Sequence, residues 1–374
     1  MTTNIKYALV CIAGVLLLLA NLEFSMSFDW FLSIHKGAIF LGLKLIFFIA
    51  QMITFFFGLS LVMKDTNHSL FRTNLMLFAQ SLVFIFVLIE VVFTFIPHSN
   101  HTQISLASHV YRSYYAGPVN AEGFRDNLDL SPNSPRKHNI FFIGDSFTEG
   151  DGLKSVEHRF SDKTGVLLGE EYQSYNLGSS GSATTEQIAI LDDLPFLPDI
   201  IVWQYFFNDI DDICFEQTNS YPNLNELFDL NPVCQWIVER SFLINYFFFR
   251  YSPKLGYNEF VDYFLQCGEN EQVMQAYANK ISGIQDFCQK NDVTLIFLII
   301  PNSFNPEKSI ALDLKVQGIF ERLQIPYYNS TKDVLEVAMD IRTINSQDMH
   351  LSETSNAIIA EKLSRTIKRV YSLE

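Results

Sequence analysis

Three long apolar runs follow one another in the first hundred residues: Tyr7–Leu22, Gly37–Met63 and Leu75–Ile96. In lipid, a run of about 20 apolar residues satisfies its backbone by forming an α-helix. Residues 1–97 are therefore expected to be a membrane anchor with three transmembrane helices. The first run is short for a span unless Ile5 and Leu22 through Phe24 contribute. No small-x-small cleavage site follows it, which argues against a removable signal peptide. Lys6 precedes the first run, and Lys64 and Arg72 flank the loop between the second and third. The loop between the first and second carries Glu23, Asp29 and only Lys36. The positive-inside rule then puts the amino terminus in the cytoplasm and everything after residue 97 outside it. The expected localisation is the cytoplasmic (inner) membrane, multi-pass, with an extracytoplasmic carboxyl-terminal domain and the lipid bilayer as partner. Lys44 and Glu90 both lie roughly 10 Å inside their runs. They are expected either to pair between helices or, for Lys44, to snorkel alone.

Charge separates the two parts of the chain. The whole chain carries −15 and the first hundred residues +1, so the remainder carries −16. A domain that acidic excludes nucleic acid as a partner and is repelled by anionic lipid at long range. Cys214, Cys234, Cys267 and Cys288 match no zinc spacing. Outside the cytoplasm they allow two disulfides in three connectivities, or they remain buried thiols. Residues 98–138 read as linker and domain entry, and the His98-Ser-Asn-His101 pair belongs to that linker rather than to a metal site.

From residue 139 to 374 the pattern changes to strands alternating with helices. Ile140–Ile143 is a short apolar run suited to a buried parallel strand, and it breaks at Gly144-Asp145-Ser146. Tyr172–Leu177, Asp199–Phe207, Val293–Ile300 and Ile325–Tyr328 read as further strands. Helices are expected at His158–Leu168, Thr184–Leu194, Asn270–Lys290, Lys308–Leu323 and Ser352–Val370, and Pro222–Gly268 reads as irregular and aromatic-rich. Within that stretch, Phe242–Arg250 suggests either a helix buried against the sheet or an apolar lid on the bilayer. The alternation predicts an α/β fold, a three-layer α/β/α flavodoxin-like parallel sheet behind the three membrane helices.

Open parallel sheets place their sites at the carboxyl ends of strands. Ser146 stands at such an end, after a glycine that allows a sharp turn. A serine nucleophile needs a base, a group to orient the base, and donors for the oxyanion. Of the eight histidines, His138 sits at the wrong end of the strand and His158 opens a helix. His350, in the loop Asp348-Met349-His350-Leu351, has an aspartate two residues away. Gly181 and Asn208 follow the second and third strands, where a backbone N–H and a side-chain amide are available.

In this order and spacing the residues resemble the SGNH hydrolases, also called GDSL esterases, over roughly residues 120–370. The four blocks are Gly144–Gly150, Asn176–Gly181, Phe207-Asn208-Asp209 and Asp348–Leu351. The Gly123-Phe124-Arg125-Asp126 stretch resembles a segment of bacterial membrane-attached members. The sequence departs from the family at Phe207, where a glycine is usual, which would narrow the pocket or alter the loop. The Asp–His spacing is also one residue shorter than the commonest form. The resemblance implies Ser146 as nucleophile, His350 as base and Asp348 as its orienter. It also implies an oxyanion hole of the Ser146 and Gly181 N–H groups and the Asn208 side chain, with Asp145 structural and no metal or organic cofactor. The expected function is a membrane-anchored extracytoplasmic serine esterase or O-acyltransferase. Its expected substrate is an acylated envelope glycan or a lipid-linked sugar. The alternative is a catalytically silent envelope protein that uses the same fold to bind glycan or a membrane partner.

Overall fold

The computed structural model describes residues 10, 12–17, 37–64, 70–100, 105–133, 136–219, 231–251 and 257–371. Lys6, Glu23, Asp29, Lys36, His101 and most of the first apolar run lie outside the described residues. The chain divides into two compact units. One comprises Met1–His98, Thr102–Tyr114 and Phe228–Ser252, and the other Ser99–His101, Tyr115–Leu227 and Pro253–Glu374. The units do not follow the boundaries expected at residues 97 and 138, because Phe228–Ser252 groups with the amino-terminal helices.

In the first unit, helices Gly37–Lys64 and Leu70–Phe93 have 28 and 24 residues. They meet through Phe55 stacked on Phe84 at 4.7 Å, and through Gln80 Nε2 donating to the Phe55 carbonyl at 2.8 Å. Among the described residues no helix is long and apolar enough to cross a membrane. Ile46, Ile53, Phe56 and Phe57 on the first helix and Leu75, Phe78 and Leu82 on the second are each at least half exposed.

The stretch read as irregular holds three helices: Pro232–Arg240, Phe242–Tyr251 and Tyr257–Glu269. The first is started by Asn231, whose Oδ1 accepts from the Val233 and Cys234 N–H groups at 3.1 and 3.0 Å. The second packs against helix Leu70–Phe93. Its Tyr246 and Phe247 meet Phe93 at ring distances of 5.1 and 5.4 Å. The Glu90 carboxylate caps its amino end, accepting from Ser241 Oγ at 2.8 Å and from the Phe242 and Leu243 N–H groups at 2.6 and 3.2 Å. Glu90 thus meets a helix N-terminus, which satisfies a buried carboxylate with aligned donors. The Lys44 side chain lies outside the described residues.

The second unit is built on five parallel strands. They are β1 (His138–Gly144), β2 (Tyr172–Gly178), β3 (Ile200–Tyr205), β4 (Thr294–Ile299) and β5 (Tyr327–Asn329), in the spatial order β2-β1-β3-β4-β5. This is the flavodoxin-like order, whose switch point lies between β1 and β3. Trp203 pairs in register with Ile143 and Phe297, so these share one face. On that face Tyr205 meets Tyr277 of helix Glu271–Lys290, and Phe297 stacks on Phe320 of helix Pro306–Arg322. Phe142 is one residue out of phase and meets Phe160 of helix Phe160–Leu168 on the opposite face. Helix Glu353–Tyr371 packs beside Phe160–Leu168 and completes the third layer. Ile140, Phe141, Phe142 and Ile143 have no exposure at all. Each is worth about 1.5–3 kcal/mol of burial, which holds β1 in the interior of the sheet between β2 and β3.

The fourth block is a strand rather than a loop. Asp348–Leu351 is β7, paired antiparallel with β6 (Thr343–Asn345). Among the described residues one disulfide is present, Cys214–Cys267, with Cα atoms 5.6 Å apart, while Cys234 is exposed and Cys288 buried as free thiols.

Gly178 ends β2 where a Cβ would fall 2.1 Å from the Glu149 nitrogen and 2.6 Å from the Thr148 carbonyl carbon. Gly181 (φ +81°) has open space at its Cβ position. Gly178→Ala should therefore cost about 3 kcal/mol through overpacking, and Gly181→Ala about 1 kcal/mol through backbone strain alone. Urea unfolding of the full chain in detergent checks both, and equal losses would show that close approach is not what glycine provides at 178.

Candidate active site

The site begins with the turn that leaves β1. Asp145 caps the short helix Ser146–Glu149, its Oδ1 accepting from the Phe147 N–H at 2.9 Å. Its own N–H donates to Gln204 Oε1 at 3.1 Å, and Thr148 Oγ1 donates to the same oxygen at 3.0 Å. Gln204 is a β3 side chain, so the central strand next door fixes the turn that carries Ser146. A Cβ on Gly144 would lie 2.4 Å from both Gln204 Oε1 and Thr148 Oγ1. On the other flank, Asn176 of β2 donates from Nδ2 to the Thr148 carbonyl at 2.6 Å and to Ser161 Oγ at 2.7 Å.

The stretch Gly123–Asp126 braces the far side of this turn. The Arg125 guanidinium donates to the carbonyls of Gly150 at 2.5 Å, Leu153 at 2.6 Å and Tyr115 at 2.7 Å. Asp126 Oδ2 accepts from the Asn176 N–H at 2.7 Å. One arginine thus holds the loop after Ser146 by its carbonyls. The sequence singled out this stretch without giving it a task, and nothing in it names a carbonyl as the partner. Gln204 carries no sequence signal either, since it sits inside an otherwise apolar strand.

The fold brings three of the expected residues together. Ser146 Oγ lies 2.8 Å from His350 Nε2, and His350 Nδ1 lies 2.6 Å from Asp348 Oδ1. The His350 N–H donates to the same oxygen at 3.0 Å. Two residues apart on β7, Asp348 and His350 point to one side of the strand, which is why the short spacing reaches. All three are buried. Phe147 packs between His350, at a ring distance of 5.0 Å, and Phe206, at 4.3 Å.

Gly181 lies in the loop after β2 and Asn208 in the short turn Phe207–Ile210 after β3. With Ser146 they occupy the carboxyl ends of three neighbouring strands, and Asn208 Oδ1 has no hydrogen-bond partner. Phe207 does not narrow the site. It is buried in the core against Phe206, Phe260 and Phe264. His158 pairs with Glu353 at 2.6 Å, and His138 Nδ1 meets the Tyr371 hydroxyl at 3.0 Å at the amino end of β1. Among the described residues no group of three or more His, Cys, Asp or Glu side chains could hold a metal ion.

Electrostatics are set by carboxylates. Burial alone would lower the His350 pKa, but the charge and hydrogen bond of Asp348, with the charges of Asp151 and Asp145, push it up to about 9. Burial works to raise Asp348, yet the His350 charge and the hydrogen bonds of His350 and Ser99 bring it below the ordinary value. Asp145 is raised to about 6, chiefly by burial.

The sequence matches no family model and no curated protein. Solved structures similar to the chain include a carbohydrate acetylesterase family member from Sinorhizobium meliloti, at 12% identity over 63% of this chain and 99% of that one, with a TM-score of 0.39. Another is the lipase/acylhydrolase from Enterococcus faecalis, at 15% identity over 62% and 96%, with a TM-score of 0.35. A third is a member of the lipolytic protein G-D-S-L family from Veillonella parvula, at 11% identity over 63% and 98%, with a TM-score of 0.38. Likeness at this level carries no functional argument, so the chemistry follows from the chain's own side chains.

His350 accepts a proton only when neutral. The rate of any reaction that uses it as a base should therefore rise about tenfold per pH unit through the neutral range and level off near pH 9. The linkage runs the other way for stability. A histidine raised above its unfolded value of about 6.5 stabilises fully below that pH and loses its contribution as pH rises through about 9. A pH profile of kcat/KM on a nitrophenyl ester already flat at pH 6 would contradict this electrostatic picture.

Proposed function

We propose that the chain is a serine hydrolase of the SGNH family, an esterase or O-acyltransferase anchored in the membrane with its α/β unit outside the cytoplasm. The observation that carries this reading is the buried relay Ser146–His350–Asp348, with contacts of 2.8 and 2.6 Å. In this relay His350 Nε2 takes the Ser146 proton as Oγ attacks the ester carbonyl carbon. Asp348 holds Nδ1–H and stabilises the imidazolium that forms. The Ser146 and Gly181 N–H groups and the Asn208 side chain receive the oxyanion. Collapse breaks the ester C–O bond, and the leaving alkoxide takes the proton from His350. Water or a sugar hydroxyl then attacks acyl-Ser146 with His350 again as base, which regenerates the serine.

Three features support the location. The sequence before the domain holds three apolar runs, and the charges flanking them are asymmetric. The half-exposed Ile and Phe side chains of Gly37–Lys64 and Leu70–Phe93 suit a lipid environment. The Cys214–Cys267 disulfide suits an oxidising compartment. An enzyme tethered there would meet acyl esters of an envelope glycan or of a lipid-linked sugar, and that is the substrate class proposed.

A fluorophosphonate probe should label the wild-type chain and not Ser146→Ala, and the same substitution should lower kcat on a nitrophenyl ester by at least about a thousandfold. Equal labelling of both proteins would leave the silent glycan-binding alternative as the better reading. An alkaline phosphatase fusion after Glu374 should be active, and an inactive one would reverse the proposed orientation.

A further inference from the structure

We propose that Ser99, two residues past Pro97 at the end of the third apolar run, is a positioning residue for the acyl-transfer reaction, holding the Asp348 carboxylate in place from a segment that reads as linker. The inference rests on the function proposed above but is observable without it. Asp348 has no exposed surface. Its Oδ1 is engaged twice by His350, and its Oδ2 accepts from Ser99 Oγ. A buried carboxylate that loses a donor is left with unmet hydrogen-bonding capacity and can turn to find another. Here a turn of the carboxylate would take Oδ1 away from Nδ1, and with it the orientation of the ring that faces Ser146.

Ser99 is itself held. It is 7% exposed, and its carbonyl accepts from Asn345 Nδ2 at 3.0 Å. Asn345 Oδ1 accepts from the Gln347 N–H at 2.8 Å, at the turn between β6 and β7. Ser99 is therefore bonded at its hydroxyl and its carbonyl to the one hairpin that carries Asp348 and His350, 249 positions along the chain. The loop after the nucleophile closes the same place. Gly152 (φ +76°) stands so near that a Cβ would lie 3.0 Å from Asp348 Oδ2 and 2.5 Å from Ile344 Cγ1. The oxygen thus sits in a fitted recess, with the hydroxyl aimed at it. A fragment beginning at residue 139 would lack this donor.

The effect on His350 has a definite sign. The charged groups facing the ring are Asp348 on its own strand, Asp145 before the nucleophile and Asp151 after it. The Ser99 O–H directs its positive end at Asp348. Removing it lets the carboxylate turn off Nδ1, and losing the contact that raises His350 should move its titration to lower pH.

The test uses the full chain in detergent with ¹³C-labelled histidine, reading the His350 titration by NMR beside ester hydrolysis. Ser99→Ala should lower the His350 midpoint by about half a pH unit and lower kcat about tenfold, with KM within twofold. Ser99→Thr, which keeps the hydroxyl, should restore both. An unchanged midpoint in Ser99→Ala, or a loss that Ser99→Thr does not recover, would overturn the assignment. If Ser99→Ala fails to fold, Ser99→Cys, with its weaker donor, must move the midpoint in the same direction or the assignment falls. Should the wild-type chain prove unreactive to fluorophosphonate, the enzymatic reading fails, yet the shift of the His350 titration still decides whether Ser99 holds Asp348.

Discussion

The backbone of the turn after β1 has to be satisfied while buried, and much of the surrounding structure answers that demand. A reactive serine at the end of a core strand leaves N–H and carbonyl groups that water cannot reach. Gln204 and Asp145 take the amide groups before and after Ser146 respectively, Asn176 takes the Thr148 carbonyl, and Arg125 takes the carbonyls of Gly150 and Leu153. These partners come from β3, from β2 and from the segment ahead of β1. The glycines follow from the same demand. Gly144 and Gly178 stand where neighbouring side chain or backbone already occupies the Cβ position. The order β2-β1-β3 is what allows both flanking strands to reach the one turn.

Crowding of carboxylates is the second constraint. Asp145, after β1, and Asp209, after β3, are both buried, burial raises both, and the charge of Asp145 raises Asp209 further. Asp209 accepts from the Phe206 N–H at 2.7 Å and from Gln187 Nε2 at 2.7 Å, so its charge is met by neutral donors rather than by a cation. The carboxylates that set the field at the site are Asp348, Asp151 and Asp145. His350 is the group that feels this field, and its raised pKa is the consequence. The excess of acidic residues in this part of the chain is thus partly interior and local, not only a solvated face.

How far the sequence reveals this depends on the kind of signal. Apolar runs mark β1 and β3, because a strand buried on both faces is largely apolar, and their observed limits differ from the expected ones by one or two residues. The meeting of Ser146, His350 and Asp348 is foreshadowed by a serine after a buried strand and an aspartate two residues from a histidine. Gln204, Arg125 and Ser99 have no such signal. Each acts through a contact set by tertiary structure, and a serine in a polar linker looks like any other. His350 was placed in a loop, since a four-residue strand paired only to a three-residue neighbour has no periodicity to read. The three helices within Pro222–Gly268 were hidden for a different reason. Aromatic residues are poor helix formers in isolation, and only packing against Phe93 and Phe207 selects the helix.

The placement of Phe207 shows why one departure from a motif need not alter a site. A glycine before the asparagine permits close approach, and a phenylalanine there would block it if its side chain pointed into the crevice. The turn Phe207–Ile210 instead directs the ring into the core, where Phe260 and Phe264 of helix Tyr257–Glu269 receive it. That helix carries Cys267, and the disulfide joins it to Cys214 on the helix that continues directly from the same turn. Cross-linking over 53 residues restricts the unfolded chain by an amount that grows with the loop, on the order of 4 kcal/mol. The large residue, the helix that houses it and the bridge that fixes the helix therefore act together.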